Sequence, residues 1–336
     1  MSATTAIYRK SAAGSLILLL LAGGFVAAMI GWSTFALSFA DLRSILFSAP
    51  ESLAQQLLVS LRLPRVLVAM LVGASLAVAG VLMQAITRNP LASPSLFGIN
   101  AGAACMLIVV SSGWLPWLQT LPLILSTAMG ATVAALLVLA LGGALKGRLH
   151  PVRVLLAGIA VSAALTALTR TLLILDEQAQ AVIDWLTGSL ADTGWDHWQQ
   201  LWPFAGLALV LSLFLSQGLN LLALGDEAAT GLGISPVRTR ISAGVLVIVL
   251  AAGAVAVAGP VAFVGLLVPH VMRALVGRDH RILIPAAALG GAVLMLWADA
   301  FSRALAFPAE TPVGVVTALL GAPCFLYLAC GRGGAR

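Results

Sequence analysis

Long stretches without any charged residue dominate this chain. No charge occurs in the 30 residues from Ser11 to Ala40, nor in the 57 residues from Asn89 to Leu145. The hydrocarbon core of a bilayer is about 30 Å thick and needs roughly 20 apolar residues per helix. Because a backbone in lipid must satisfy its own hydrogen bonds, runs of this length predict membrane-spanning helices.

The composition excludes a soluble domain. Hydrophobic residues make up 61% of the chain, charged residues 9%, and the mean hydropathy is +1.07, whereas about 25% of a soluble protein is charged. The basic residues stand singly or in pairs at the ends of apolar runs, which argues against a nucleic-acid interface. Cys105, Cys324 and Cys330 lie in apolar segments without metal-ligand spacing, so neither a disulfide framework nor a zinc site is indicated.

Turn residues and charges divide the chain into ten predicted spans. Gly259-Pro260, for example, separates two apolar runs because proline lacks a backbone donor and clashes inside a helix. The first run is too long for a signal-peptide core, so it is interpreted as an uncleaved first helix. We predict an all-α fold, a polytopic membrane protein forming one domain over residues 1–336. The spans lie near 13–36, 65–87, 95–112, 120–144, 153–175, 199–217, 240–258, 261–276, 282–301 and 311–330.

The charges between the spans predict an orientation. An even number of spans places both termini on one side, and that side receives 13 of the 18 basic residues. Under the positive-inside rule this side is cytoplasmic, with a short N-terminal segment 1–12. The opposite side, or the membrane near it, holds nine of the twelve acidic residues. Its basic residues are Arg43, Arg62, Arg65, Arg170 and Arg303.

Motifs for chemistry are missing from the sequence. It contains no phosphate-binding loop, no H-E-x-x-H and no G-x-S-x-G, and its four histidines are scattered. An intramembrane enzyme or a metal site is therefore not predicted. Ion-driven carriers usually need ionisable groups near mid-membrane, but Asp176, Glu177 and Asp299 fall near the outer ends of spans. A separate ATPase subunit is the simplest energy source, and a proton-coupled carrier that works alone is the alternative.

Five motifs follow one another along almost the whole chain: LRLPR (61–65), LVGASLAVAGVLMQAITRNPLASPSLFGINAGA (71–103), GPVAFVGLLVPHVMR (259–273), ADAFSRALAFPAETPVG (298–314) and LLGAPCF (319–325). Together they resemble the FecCD family of bacterial permeases. That resemblance implies a type II ABC-importer permease fold in the bacterial inner membrane. It further implies a dimeric membrane core with the pathway at its interface, two ATP-binding-cassette subunits inside, and a periplasmic substrate-binding protein outside. ATP and Mg²⁺ would bind to those partner subunits, and no cofactor to this chain.

The resemblance also implies a class of substrate, an iron(III) chelate. Within the family, strings such as ITRNPLASPSLFGINAGA (86–103) and LNLLALGDEAATGLG (219–233) are most similar to first membrane subunits of ferric dicitrate importers. We therefore expect ferric citrate as the substrate and a heterodimer with a second permease. Hydroxamate siderophores, haem and cobalamin are the alternatives within the family.

Three outer arginines match positions at which related permeases receive acidic residues of the binding protein. These are Arg62 and Arg65 in the LRLPR motif and Arg303 in the SRALA motif. The planar guanidinium suits bidentate binding of a carboxylate. Alternatively, all three extend from helix ends to lipid headgroups.

The segment 218–240 corresponds to the family's coupling loop, which packs into the ATPase. Asp226 is a plausible N-cap of a short helix, and Gly231 or Gly233 is expected to end it. An ordinary polar loop is the alternative. The residues assigned to coupling are Gly225, Asp226, Glu227, Ala228, Thr230, Gly231 and Gly233.

Arg170 is embedded in the apolar run ALTALTRTLLIL, in the predicted outer third of the fifth span. A charged side chain in lipid is costly enough to be a functional candidate. Arg170 could attract an anionic ferric chelate into the pathway. It could equally reach outward to the interface or pair with Asp176.

Overall fold

The computed structural model describes residues 3–31, 38–45, 50, 52–143, 151–175 and 185–331, and the regular elements in these ranges are all helices. A π-helical turn, Leu58–Arg62, leads into the fourth α-helix, and 3-10 turns precede the fifth and sixth. In chain order the α-helices are α1 (Ala3–Ile30), α2 (Phe39–Ile45), α3 (Leu53–Leu57), α4 (Leu63–Thr87), α5 (Ile99–Ser111), α6 (Leu123–Leu141), α7 (Pro151–Leu175), α8 (Trp195–Leu222), α9 (Asp226–Gly231), α10 (Pro236–Ala258), α11 (Val264–Val276), α12 (His280–Leu305) and α13 (Val313–Gly331).

The ten predicted spans correspond to ten helices of 13 to 28 residues in the described part of the chain. This confirms the predicted all-α fold. Seven segments are long and apolar enough to cross a bilayer, α5 and α11 are shorter apolar helices, and α13 is apolar over Val313–Leu326. Large apolar side chains point away from the protein, among them Ile174, 85% exposed, and Phe214, 77% exposed. Such a surface suits lipid, so the chain is a multi-pass membrane protein. Because α1 begins at Ala3, most of the predicted segment 1–12 is part of the first helix.

Helix α4 forms the centre of the bundle and packs against α8, α10, α11 and α12. Glycines permit its closest contacts. A Cβ added at Gly73 would lie only 2.1 Å from the carbonyl oxygen of Gly291 in α12. In lipid, helices associate mainly through such close packing of small residues. The backbones of α4 and α12 therefore touch at their crossing point.

The short helix α11 begins inside the bundle. The chain breaks at Gly259-Pro260, as predicted, and Val264 at the start of α11 is fully buried. A Cβ at Gly80 would lie 1.9 Å from the carbonyl oxygen of Gly265, so α11 also rests directly on α4. Thirteen residues suffice for α11 because protein, rather than lipid, surrounds its first turn.

At each end of the bundle, an arginine side chain forms a hydrogen bond with the end of a neighbouring helix. At one end Arg303 of α12 donates to the carbonyl oxygen of Ala28 in α1, at 2.9 Å. At the other, Arg88 after α4 donates to the carbonyl oxygen of Leu222 in α8, also at 2.9 Å. We call these the outer and inner ends, in accordance with the orientation predicted from the charges.

Candidate functional site

At the outer end, Arg62, Arg65 and Arg303 converge, as the family motifs led us to expect. The structure adds two carboxylates to them, Asp299 of α12 and Glu310 of the connection between α12 and α13. We call these five residues the outer cluster. It links α1, α4 and α12 at the point where all three reach the outer end.

Asp299 lies at the centre of the outer cluster and is completely buried. One carboxylate oxygen accepts from Nε of Arg65 at 2.8 Å, and the other accepts from Nη2 of Arg303 at 2.8 Å. Arg303 lies one turn after Asp299 on the same helix and is 2% exposed. Each oxygen of the buried carboxylate thus has a guanidinium donor, and such pairing offsets the cost of burying a polar or charged group.

Arg62 and Arg303 also bind the end of α1. Arg62 donates to the carbonyl oxygens of Ala28 and Gly31 at 3.2 and 3.1 Å, and Arg303 donates to the first of these. The last carbonyls of a helix have no partner within it, and they carry the negative end of its dipole. Two guanidinium groups therefore cap α1, a structural role that the sequence analysis did not foresee.

Arg65 divides its donors between two carboxylates. Its Nε donates to Oδ1 of Asp299, and Nη2 lies 2.8 Å from that same oxygen. Nη1 and Nη2 also donate to the two oxygens of Glu310, at 3.1 and 2.9 Å. The side chain of Arg65 is 10% exposed and that of Glu310 is 38% exposed. The spacing of Asp299 and Arg303 was a readable signal, but only the fold brings Arg65 to them.

At the inner end, the predicted coupling segment forms a short helix, α9, between longer neighbours. Helix α8 continues to Leu222 and α10 begins at Pro236, so the connection is 223–235 rather than the predicted 218–240. Gly225, with a φ of 120°, is the N-cap, and Asp226 is the first helical residue rather than the cap. The expected position of Asp226 was therefore wrong by one residue.

The predicted glycine termination of this helix is confirmed. Gly233 has a φ of 83°, and its amide donates to the carbonyl oxygen of Thr230 at 3.0 Å. The next amide, of Ile234, donates to the carbonyl oxygen of Ala229 at 2.9 Å. These two bonds form a Schellman motif, in which a glycine adopts the left-handed conformation just after the helix. Helix α9 is thus a defined turn with fixed ends.

Asp226 joins α9 to two spanning helices. Arg240 of α10 binds its carboxylate through both terminal nitrogens, at 2.9 and 2.7 Å. Arg88, which follows α4 in the left-handed conformation, donates to the same carboxylate. The hydrogen bonds from Arg240, with the charge of Arg88, hold the pKa of Asp226 below its usual value. We call Asp226, Arg88 and Arg240 the inner cluster.

The other residues assigned to coupling face solvent. Glu227, Ala228, Thr230, Gly231 and Gly233 are all exposed on α9 or just after it. The buried member of the helix is Ala229, which packs inward. The segment thus presents a small surface away from the bundle, which mixes polar side chains with the exposed Leu224 and Leu232.

Arg170 is exposed on α7, five residues before the helix ends. Its neighbours Leu168 and Ile174 are also exposed. The possible partner Asp176 lies outside the described residues, so a pair between them is not tested. Only 22% of the α7 span is buried within this chain.

Two cavities lie along the central helix. One, of about 210 Å³, is lined by Leu76 of α4, Ser93, Asn100 of α5 and Phe263. The other, of about 540 Å³, opens at the inner end beside Arg88 and Arg273. Polar side chains in the first cavity, such as Asn100, were not singled out in the sequence because nothing in their spacing marks them. Among the described residues no group of three or more His, Cys, Asp or Glu could hold a metal ion.

Comparisons with known proteins agree with one another. The model of the FecCD transport family matches residues 17–330. The chain is 43% identical to the Fe(3+)-citrate import system permease protein YfmD of Bacillus subtilis (strain 168), over 87% of each chain. It is 43% identical to the Fe(3+) dicitrate transport system permease protein FecC of Escherichia coli (strain K12), over 92% of this chain and 94% of the relative.

A solved structure shares the fold. It is described as an inward-facing conformation of a metal-chelate type ABC transporter. The two superpose with a TM-score of 0.81 at 31% identity, over 96% of this chain and 99% of the other. Further relatives are named as permeases for iron(3+)-hydroxamate and for hemin.

Proposed function

Because this chain belongs to the FecCD transport family, and is thus a permease of an ABC importer for iron chelates, we propose that it moves ferric citrate into the cytoplasm. The observation that supports ferric citrate is the 43% identity to two permeases named for that substrate, over most of each chain. Relatives named for hydroxamate and hemin show that the fold serves other chelates as well.

Uptake into proteoliposomes tests the substrate. The complex of this chain with its partner permease, its ATPase subunits and its binding protein would be supplied with radioactive iron as ferric dicitrate, ferrichrome or haem. We expect ATP-dependent uptake of ferric dicitrate alone. Uptake of another chelate in its place would overturn the assignment of substrate. Uptake without ATP that a protonophore abolishes would instead indicate a proton-coupled carrier.

The proposed partners follow from the same family. A second permease, for which FecC and FecD of one ferric dicitrate system are the precedent, would complete a heterodimer. Two ATPase subunits would bind at the inner end and a periplasmic binding protein at the outer end. ATP and Mg²⁺ would be held by the ATPases. Both termini would then lie in the cytoplasm.

Helix α7 is the element that we place beside the pathway. Arg170 is an exposed charge on a spanning helix that is otherwise largely apolar, and such a group is costly where it faces lipid. A water-filled path between two permease subunits removes that cost and lets the guanidinium attract an anionic chelate. Arg170→Gln should raise the KM for ferric dicitrate, and an unchanged KM would exclude this role.

Helix α9 is the proposed contact with the ATPase. Asp226 of α9 is bonded to Arg88, which follows α4, and to Arg240 of α10. A force applied to the exposed face of α9 is therefore passed directly to the central helix. Glu227→Arg reverses an exposed charge on α9 and should reduce co-purification of the ATPase without affecting membrane insertion. Co-purification at the wild-type level, with normal transport, would exclude α9 as the contact.

The outer cluster is the proposed docking surface for the binding protein. Arg62, Arg65 and Arg303 lie at one end of the bundle and match the family's docking positions. Arg303 is 2% exposed and bonded within the cluster, so Arg62 and Arg65 are the proposed contacts and Arg303 supports them. Arg62→Gln should weaken docking by roughly the factor of five that corresponds to about 1 kcal/mol for a partly exposed ion pair. Fluorescence binding to nanodiscs would measure this, and unchanged affinity would restrict Arg62 to its role as a cap of α1.

A further inference from the structure

We propose that a carboxylate of the docking binding protein takes the place of Glu310 on the guanidinium of Arg65. This inference rests on the proposed docking role of the outer cluster. It goes further by naming the one contact that exchanges and the side chain that occupies it in the undocked chain.

The two carboxylates that bind Arg65 differ in their burial and in their other partners. Asp299 is completely buried, and both its oxygens bind buried arginines, so its removal would leave two uncompensated charges. The side chain of Glu310 is 38% exposed, and it forms an ion pair with Arg65. Asp299 is thus a fixed partner of Arg65, and Glu310 is the accessible one.

The backbone around Glu310 permits its side chain to leave. Residues 305–310 are all exposed, and the next amide, of Thr311, is bonded to the carbonyl oxygen of Ser302 at 3.0 Å. That bond fixes the chain beside the cluster without involving the carboxylate. Rotation of the Glu310 side chain into water therefore breaks its ion pair with Arg65, while the connection between α12 and α13 stays in place.

The chemistry of the vacated position specifies the incoming group. Nη1 and Nη2 of Arg65 form a planar fork that Glu310 fills with both carboxylate oxygens. Another carboxylate fits the same geometry, whereas an amide or hydroxyl offers a single acceptor. Docking also excludes water, which strengthens the bond with the incoming acid relative to the exposed bond with Glu310. The partner is therefore an acidic side chain of the binding protein.

Binding measurements with charge-neutral and charge-conserving variants test this exchange. The probe is the importer's own substrate-binding protein, fluorescently labelled and loaded with ferric dicitrate, added to the whole complex in nanodiscs. Glu310→Gln removes the internal competitor, and we expect it to tighten binding two- to fivefold, the upper value corresponding to about 1 kcal/mol. Glu310→Asp, whose shorter side chain reaches the fork less well, should tighten binding by a smaller factor.

Controls separate exchange from a general effect of surface charge. Asp192 is an exposed acid just before α8, at the outer end. Asp192→Asn makes the same change in charge and should leave the affinity unchanged. In an Arg65→Gln background, the gain from Glu310→Gln should disappear. Equal tightening by Asp192→Asn, or a gain that persists without Arg65, would overturn the exchange.

The remaining outcomes distinguish this inference from the docking role itself. If Arg62→Gln weakens binding while Glu310→Gln leaves it unchanged, docking is correct and the exchange is wrong. If Glu310→Gln weakens binding, Glu310 is itself a docking contact, which also contradicts the exchange. If the wild-type complex binds the probe and no variant of the outer cluster alters that binding, the docking surface lies elsewhere and both proposals fail.

Discussion

The two ends of α4 carry the same arrangement of charges in different surroundings. At the outer end Arg65 binds Asp299, which also binds Arg303; at the inner end Arg88 binds Asp226, which also binds Arg240. The side chain of Asp299 is 1% exposed and that of Asp226 is 48% exposed. One aspartate between two arginines thus joins α4 to its neighbours at each end.

Because the two arrangements differ in burial, the cost of breaking their ion pairs differs as well. Removing one partner of a buried ion pair costs about 3–5 kcal/mol because the other charge remains without compensation. An exposed pair contributes about 0–1 kcal/mol, since water replaces the lost partner. The buried Arg65–Asp299–Arg303 part of the outer cluster is therefore a permanent joint, whereas the inner cluster can open at a cost of about 0–1 kcal/mol per exposed pair.

The outer and inner ends of the bundle should lie on opposite sides of the membrane. In a cysteine-free background, Asp192→Cys should react fully with an impermeant maleimide in spheroplasts, because residue 192 is exposed at the outer end. Ser235→Cys, exposed beside α9, should react only after lysis. The reverse pattern would invert the orientation, and labelling of both in intact spheroplasts would place both ends outside.

Removal of the buried aspartate is the next largest expected effect. Asp299→Asn keeps the shape of the side chain but leaves Arg65 and Arg303 without their common anion. We expect a loss of about 3–5 kcal/mol in the free energy of unfolding. Glu310→Gln is the matched control at the same cluster and should cost no more than about 1 kcal/mol. Thermal unfolding in nanodiscs measures both, and equal stabilities would refute the difference in burial.

The outer and inner clusters can act on the same rigid unit only if α4 and α12 stay in contact. Gly73→Ala places a Cβ against the backbone of Gly291 and should cost about 1–3 kcal/mol by overpacking. Gly244→Ala in α10 is the control, because no atom lies within 4 Å of its added Cβ, and it should be neutral or stabilising. Similar melting temperatures for the two variants would show that α4 and α12 move apart freely.

The smallest expected effect concerns pH at the inner cluster. Because Arg240 and Arg88 lower the pKa of Asp226 below its ordinary 3.8, the ion pairs are complete above that value. They are lost only as the pH falls through the lower pKa of the folded chain. Hydrogen-exchange protection of Ala229–Gly233 should therefore be constant from about pH 8 to pH 5. A decline in that range would mean that Asp226 is not held by its arginines.

The sequence predicted those structural features that depend on residues within a single helix or turn. The break at Gly259-Pro260 and the glycine after α9 each act locally, so their structural effects could be predicted. The long apolar runs likewise defined the spans. Boundaries were less certain: the connection 223–235 is shorter than predicted because α8 and α10 extend beyond the apolar runs that revealed them.

Contacts between distant residues could not be foreseen in this way. Arg65 and Asp299 lie 234 positions apart, and Arg88 and Asp226 lie 138 apart. No local pattern connects them, because the packing of α4 against α8, α10 and α12 brings them together. Family motifs identified three of the five residues in the outer cluster, and the fold supplied the two acids that explain how those arginines are held.

The most direct test of a permanent outer joint and a releasable inner one is the amount of iron transported per ATP hydrolysed. Asp226→Asn should lower this ratio for ferric dicitrate by up to about fivefold, the factor that corresponds to about 1 kcal/mol of lost coupling. The melting temperature should remain close to that of the wild type. A normal ratio in Asp226→Asn proteoliposomes, with ATP hydrolysis and uptake both intact, would contradict the role of the inner cluster in coupling.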